Sequence, residues 1–305
     1  MKHMGFSSPI RTDVRCIREG IRVSRSAEGC PQGFRPRVTL RAYGAIGNLD
    51  FLRWFPRLMR FAVDARGLDD LDGLRHLPDN LESLRLGATK KRLSVRALSR
   101  FSEMRSLSLE GHTKDLDVVG GLTSLVDLTL RSITVPSLEF LEPLDELRAL
   151  DLKLGGTTDL RALRHVGRLQ YLELWQIRGL ADISVVSELT HLEYLHLQSL
   201  RRVEQLPDLS AARDLRVLWI ETMRGLTDLS LLSSAPAVEH VALIDMGHLS
   251  PEAVAPLLDC PALKSARVGL GSHRKNNQVK EVLGPLVARD DDRQVWASSR
   301  SYRFA

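Results

Sequence analysis

Apolar positions recur along this chain in one short motif, L-x-x-L-x-L, and the pattern hardly changes from end to end. It appears as Leu58-x-x-Phe61-x-Val63, Leu81-x-x-Leu84-x-Leu86, Met104-x-x-Leu107-x-Leu109 and Leu125-x-x-Leu128-x-Leu130. It continues as Leu147-x-x-Leu150-x-Leu152, Leu169-x-x-Leu172-x-Leu174, Leu192-x-x-Leu195-x-Leu197 and Leu215-x-x-Leu218-x-Ile220. Degenerate copies follow at Val238-x-x-Val241-x-Leu243 and Leu263-x-x-Ala266-x-Val268, and a leading one starts at Arg35. Successive starts lie 21 to 25 residues apart over eleven copies. A fixed period of this size marks a stacked-repeat architecture. The alternation closing each motif predicts a short strand with one apolar face.

The second half of each copy has a different rhythm. Leu180, Ile183, Val186 and Leu189 are three apart, as are Leu226, Leu229 and Leu232, and Leu68, Leu71, Leu74 and Leu77. Spacing by three suits a 3₁₀ turn better than an α-helix, whose apolar stripe mixes threes and fours. An acid or hydroxyl commonly precedes the second apolar residue: Asp70, Asp115, Ser137, Asp159, Asp182 and Asp228. These side chains accept hydrogen bonds from the free N–H groups that open a helical turn.

The motif and its period resemble those of leucine-rich-repeat proteins, nearest the 22-residue internalin-like class, over about residues 35–270. The resemblance implies an α/β fold. That fold is a right-handed solenoid with a parallel concave sheet, short 3₁₀ or helical convex turns, and capping elements at both ends. One departure stands out. The family usually carries Asn at the ninth position, where it ties down the turn after the strand. Here that column reads Tyr43, Arg66, Thr89, His112, Ile133, Gly155, Ile177, Leu200, Met223, Met246, Gly271. The turns from Ile133 onward are therefore expected to be held by apolar stacking.

A stacked array needs both ends closed, because an open rung exposes leucines and unpaired strand edges. Residues 1–34 are assigned to an N-terminal cap, with a hairpin over 14–25 turning at Glu19-Gly20. Residues 271–305 are assigned to a C-terminal cap. Within it, residues 277–288 read as a short helix disrupted at Gly284-Pro285. Residues 293–304 read as a strand or hairpin over the final rung.

Composition narrows the function classes. The 305 residues carry a formal net charge of +5. The excess lies in the ends: residues 1–37 hold 8 basic and 3 acidic residues, and residues 271–305 hold 7 and 4. A basic stripe along the sheet is thus missing, and no nucleic-acid partner is expected. No apolar run approaches a membrane span and no secretory leader is recognisable, so a cytoplasmic location is expected. Cys16, Cys30 and Cys260 match no metal motif and read as reduced thiols. No dinucleotide, phosphate-loop, zinc-protease or nucleophile-elbow motif is present, so no cofactor is expected.

On each strand the third, fifth and seventh motif positions point away from the leucines, toward solvent on the concave side. In early rungs they are small or charged. In later rungs they read Ala149, Asp151, Lys153; Tyr171, Glu173, Trp175; Tyr194, His196, Gln198; Val217, Trp219, Glu221. The chain has four Trp and four Tyr, and two of each fall in three consecutive rungs. Exposed rings flanked by ionisable groups have the composition of an interface hot spot. Asp151, Tyr171, Glu173, Trp175, Tyr194, His196, Trp219 and Glu221 are the expected partner-binding residues. The competing readings are that a terminus covers this face, or that the rings merely pack between rungs. A non-enzymatic module binding a protein or peptide ranks first. A stand-alone immunity or antitoxin-type inhibitor comes next. A metal-dependent enzyme using the Asp151, Glu173, His196 column ranks below both, because no nucleophile accompanies it.

Overall fold

The computed structural model describes residues 21–26 and 37–288. Its strands are β1 (Ile21–Ser26), β2 (Arg37–Tyr43), β3 (Arg60–Asp64), β4 (Ser83–Leu86), β5 (Ser106–Glu110) and β6 (Asp127–Arg131). They continue as β7 (Ala149–Lys153), β8 (Tyr171–Trp175), β9 (Tyr194–Gln198), β10 (Val217–Glu221), β11 (His240–Ile244) and β12 (Ser265–Val268). All twelve form one open sheet in sequence order. From β2 onward every pairing is parallel, and each strand is in register with the next copy of the motif. Leu150 therefore faces Leu172, which faces Leu195 and then Leu218. These leucines are fully buried in one continuous interior. No single coil could bury its own apolar side; each does so against its two neighbours.

The convex side consists of 3₁₀ turns, among them Asp72–His76, Arg161–His165, Ser184–Glu188 and Ser230–Ser234. The aspartates cap them as the sequence suggests. The carboxylates of Asp70, Asp159, Asp182 and Asp228 accept from the backbone N–H two residues on, at Asp72, Arg161, Ser184 and Ser230, over 2.8 to 3.1 Å. Asp208 does the same for Ser210 at 2.9 Å. Asp115 differs: it is itself left-handed, with φ 59°, and the Ser94 hydroxyl donates to its carboxylate.

The turns after the strands are held by more than apolar stacking. Ser132, Leu154, Gln176, Ser199, Thr222 and Asp245, the eighth residue of six successive copies, are all left-handed, with φ from 52 to 58°. That conformation turns their N–H groups toward the next rung. Ser132, Leu154, Gln176, Ser199 and Thr222 donate to the carbonyls of Lys153, Trp175, Gln198, Glu221 and Ile244 at 2.7 to 2.9 Å. At the ninth position, where apolar stacking was expected, sulfur also accepts hydrogen bonds: the N–H of Leu200 donates to Met223 Sδ and that of Met223 to Met246 Sδ, at 3.3 and 3.4 Å. His112, at the ninth position of its copy, acts the other way: its Nε2 lies 3.1 Å from the Gly87 carbonyl oxygen, to which it donates. Gly155 leaves no alternative residue, since a Cβ there would lie 2.1 Å from the Ile133 carbonyl oxygen.

At the ends, β1 pairs antiparallel with β2. The first arm and the turn of the hairpin expected over 14–25 fall on residues 14–20, which lie outside the described residues. The helix α1 (His273–Leu283) begins four residues earlier than the pattern suggested, capped by the Ser272 hydroxyl accepting from the Lys275 N–H. It stops at Gly284, whose φ of 54° ends the helix. Val279 and Leu283 of α1 are buried in the core. Residues 293–304, expected as a strand or hairpin, are outside the described range.

Candidate functional site

The in-register pairing places the singled-out side chains in three columns on the concave face. Ala149, Tyr171, Tyr194 and Val217 form the first; Asp151, Glu173, His196 and Trp219 the second; Lys153, Trp175, Gln198 and Glu221 the third. The structure thus brings all eight predicted residues together. It corrects their exposure. Asp151 is 0% exposed, Tyr194 3%, Tyr171 6% and Glu173 7%, so these four are buried and not presented to solvent. They are not part of the leucine interior. Ala149, Tyr171, Tyr194, Val217 and Ala242 form a separate apolar cluster, with Trp219 and Ile244 packed against it. Trp175, His196, Trp219 and Glu221 remain partly accessible.

The rings pack between rungs. Tyr171 and Tyr194 are stacked with centroids 4.9 Å apart and planes 5° from parallel. His196 and Trp219 lie 5.6 Å apart at a tilt of 57°. A separation of one rung suits offset stacking, which adds attraction beyond area burial.

Lys153 organises the polar part, and the sequence reasoning overlooked it. Its Nζ lies 3.0 Å from Asp151 Oδ1 and 2.7 Å from Glu173 Oε2, between the two carboxylates. The Tyr171 hydroxyl donates to the same Glu173 oxygen at 3.0 Å, and the Thr129 hydroxyl donates to Asp151 Oδ2 at 3.0 Å. Burial pushes the Glu173 carboxyl up. Hydrogen bonds shared with Asp151 and received from Lys153 and Tyr171, together with the Lys153 charge, outweigh that and hold it below its ordinary value. On the other side of Glu173, His196 Nδ1 is 3.6 Å away. Glu221 accepts from the Trp219 indole at 3.0 Å and from the Gln198 amide at 2.9 Å. Above the third column, Arg131 and Lys153 both lie over the Trp175 ring, 5.3 and 5.8 Å from its centre. The signal for Lys153 was its place at the seventh position, two residues from Asp151 on the same face.

The cation between Asp151 and Glu173 is the Lys153 ammonium, and among the described residues no group of three His, Cys, Asp or Glu could hold a metal ion. Cys260, a free and buried thiol, lies elsewhere in the core, and desolvation pushes its pKa up to about 11. Such a thiol is inert as a nucleophile. Lys91, in the basic run Lys90-Lys91-Arg92, pairs with Asp69 at 2.8 Å. No described helix is long and apolar enough to cross a membrane.

No protein-family model matches the chain, and no curated protein matches it in sequence. Solved structures do. An internalin (inlF) from Listeria monocytogenes superposes with a TM-score of 0.52 at 15% identity, covering 83% of this chain and 86% of that one. An internalin C2 from the same organism gives a TM-score of 0.43 at 20% identity, over 66% and 76%. The fold is a leucine-rich-repeat solenoid. Eleven in-register parallel strands, 3₁₀ convex turns and the overlap with the first internalin establish that much. In this solenoid the aromatic and carboxylate cluster occupies the concave side of coils β7 to β10, where the strands and not the turns set its geometry.

Proposed function

We propose that this leucine-rich-repeat chain is a protein-interaction module that acts by binding and not by catalysis. Its binding surface is the concave face from β7 to β10, and its partner is a protein or peptide. The observation that carries the reading is the constellation of Trp175, His196, Trp219 and Glu221 on a rigid sheet, ordered by the layer of Asp151, Lys153, Glu173, Tyr171 and Tyr194 beneath. Rings already fixed in place lose little freedom on association, so contact area converts efficiently into affinity. The acids of the patch favour a partner segment bearing basic and aromatic side chains. The unpaired thiol of Cys260 supports a reducing compartment such as the cytoplasm.

The test is affinity capture with the wild-type chain and with a W175A/W219A double variant. Capture by the wild type and loss of at least tenfold in affinity by the variant, with an unchanged circular dichroism spectrum, supports the reading. Equal capture by both proteins overturns it.

A further inference from the structure

One edge of the stack, where the chain turns away from the strands, carries cations that the fold does not neutralise. The register that pairs Trp175 with Gln198 and Gln198 with Glu221 puts Arg178, Arg201 and Arg224 at one position of three successive rungs, about 4.8 Å apart. Arg202 follows directly. The turn segments 154–158, 176–181, 199–203 and 222–227 hold these four arginines and no acid. All four are exposed, and among the described residues none of them forms an ion pair. Elsewhere arginines are paired: Arg100, Arg161, Arg168 and Arg216 each reach a carboxylate at 2.6 or 2.7 Å. The acids that follow the edge in the chain are engaged, Asp159 with Arg161 and Asp182 with the Ser184 N–H. Aligned like charges repel one another, and exposed side chains bury nothing in return. The ladder therefore does not serve the stability of its coils.

The edge is also recessed. Arg178, Arg201 and Arg202 line a groove of about 320 Å³ together with Gln176 and Ser199, and no acid lines it. That volume is at the small end of ligand sites. Backbone acceptors around the groove are spent. The carbonyls of Trp175 and Gln198 take the N–H groups of Leu154 and Gln176 at 2.9 and 2.8 Å, and the Gly155 carbonyl takes that of Arg178 at 2.8 Å. What the groove offers is three guanidiniums, an amide and a hydroxyl. A carboxylate has one charge and two oxygens, enough for a single guanidinium fork. A phosphomonoester carries about two charges at pH 7 and three acceptor oxygens, which suits several forks at once.

We propose that this groove binds a phosphomonoester, and that its source is a phosphorylated serine or threonine of a protein partner. Gln176 and Ser199 directly follow Trp175 and Gln198 of the concave face, so a chain lying on that face reaches the groove across its rim. The choice of a protein rests on the binding reading above; the phosphate chemistry does not.

Titration of the full chain with an acetylated Gly-phosphoserine-Gly amide, followed through the arginine side-chain N–H signals by NMR, tests it. Shifts at Arg178, Arg201 and Arg202, with affinity at least tenfold above that of the glutamate tripeptide, are expected. R201Q/R202Q should abolish them, and R178K, which keeps the charge but loses the fork, should weaken binding several-fold. Both variants should keep the wild-type circular dichroism spectrum. Equal response to the glutamate or unmodified serine tripeptide, or shifts only at other arginines, overturns the proposal. So does capture by phosphatidic-acid vesicles without binding of the tripeptide, which would assign the groove to a membrane. W175A/W219A should bind the phosphoserine tripeptide as the wild type does, so failure of the concave-face reading and failure of this one are separately visible.

Discussion

Lys153 balances two carboxylates that the concave face removes from water, so its loss exposes a large electrostatic imbalance. Breaking a desolvated ion pair from one side costs more than the pair contributes, because the remaining charge has no compensation. With the Lys153 side chain 15% exposed, K153M should destabilise the chain by about 2–3 kcal/mol, somewhat below the fully buried range. Adding E173Q should restore part of that loss in a double-mutant cycle read by urea denaturation. Glu173 also sets an acid limit. Its folded carboxyl lies below its ordinary value of 4.5, so the stability it contributes is complete above about pH 4.5 and is lost as pH falls through the lower folded value. A plot of stability against pH should flatten in that window for E173Q. An unchanged slope would remove Glu173 from the acid response. Backbone strain gives a prediction of opposite sign. Gln176 is exposed and left-handed, with φ 52°, so Q176G should gain about 0.5–1 kcal/mol. G155A should lose about 2–4 kcal/mol through its clash with the Ile133 carbonyl. Thermal melts of the two variants, shifted in opposite directions, would check this.

At the level of elements, strands and convex turns were legible because each rests on one periodic rule. Alternation gives the strand, spacing by three gives the 3₁₀ turn, and an aspartate two residues before the free N–H gives the cap. D182A should therefore weaken its coil modestly, by about 0.5–1 kcal/mol at this exposed cap, while D182N, which keeps the accepting oxygen, should not. The turn after each strand was less legible. Its hydrogen bonds come from backbone left-handedness at Ser132, Leu154, Gln176, Ser199 and Thr222, which no side-chain pattern announces. The methionine sulfurs that stand in for an amide acceptor were visible only as apolar residues. The concave residues were legible as a set, because register follows from the repeat. Their burial was not, because it depends on how the side chains of adjacent rungs pack on one another and not on the motif. Lys153 was overlooked for a related reason: its role follows from the carboxylate one rung away at Glu173 as much as from Asp151 on its own strand.

Across the whole molecule each coil touches only its neighbours, so stability is a sum of coil and interface contributions and the ends decide where unfolding starts. Leu283 of α1 is 1% exposed at the C-terminal end of the stack. L283A should cost about 2–4 kcal/mol, and amide exchange should accelerate first in β12 and β11, with β5 to β7 affected last. A uniform acceleration would mean the stack unfolds as one unit. The same linearity makes the concave face a rigid template. Its columns cannot adjust independently, so the partner proposed above would be selected by the fixed spacing of rings and charges along β7 to β10.

The most direct test of that central claim is amide-exchange and radical footprinting of the full chain, alone and saturated with its captured partner. Protection concentrated on Trp175, His196, Trp219 and Glu221 and the strands that carry them is the result this account predicts. Protection confined to the convex 3₁₀ turns, or to the early strands β3 to β5, would contradict it.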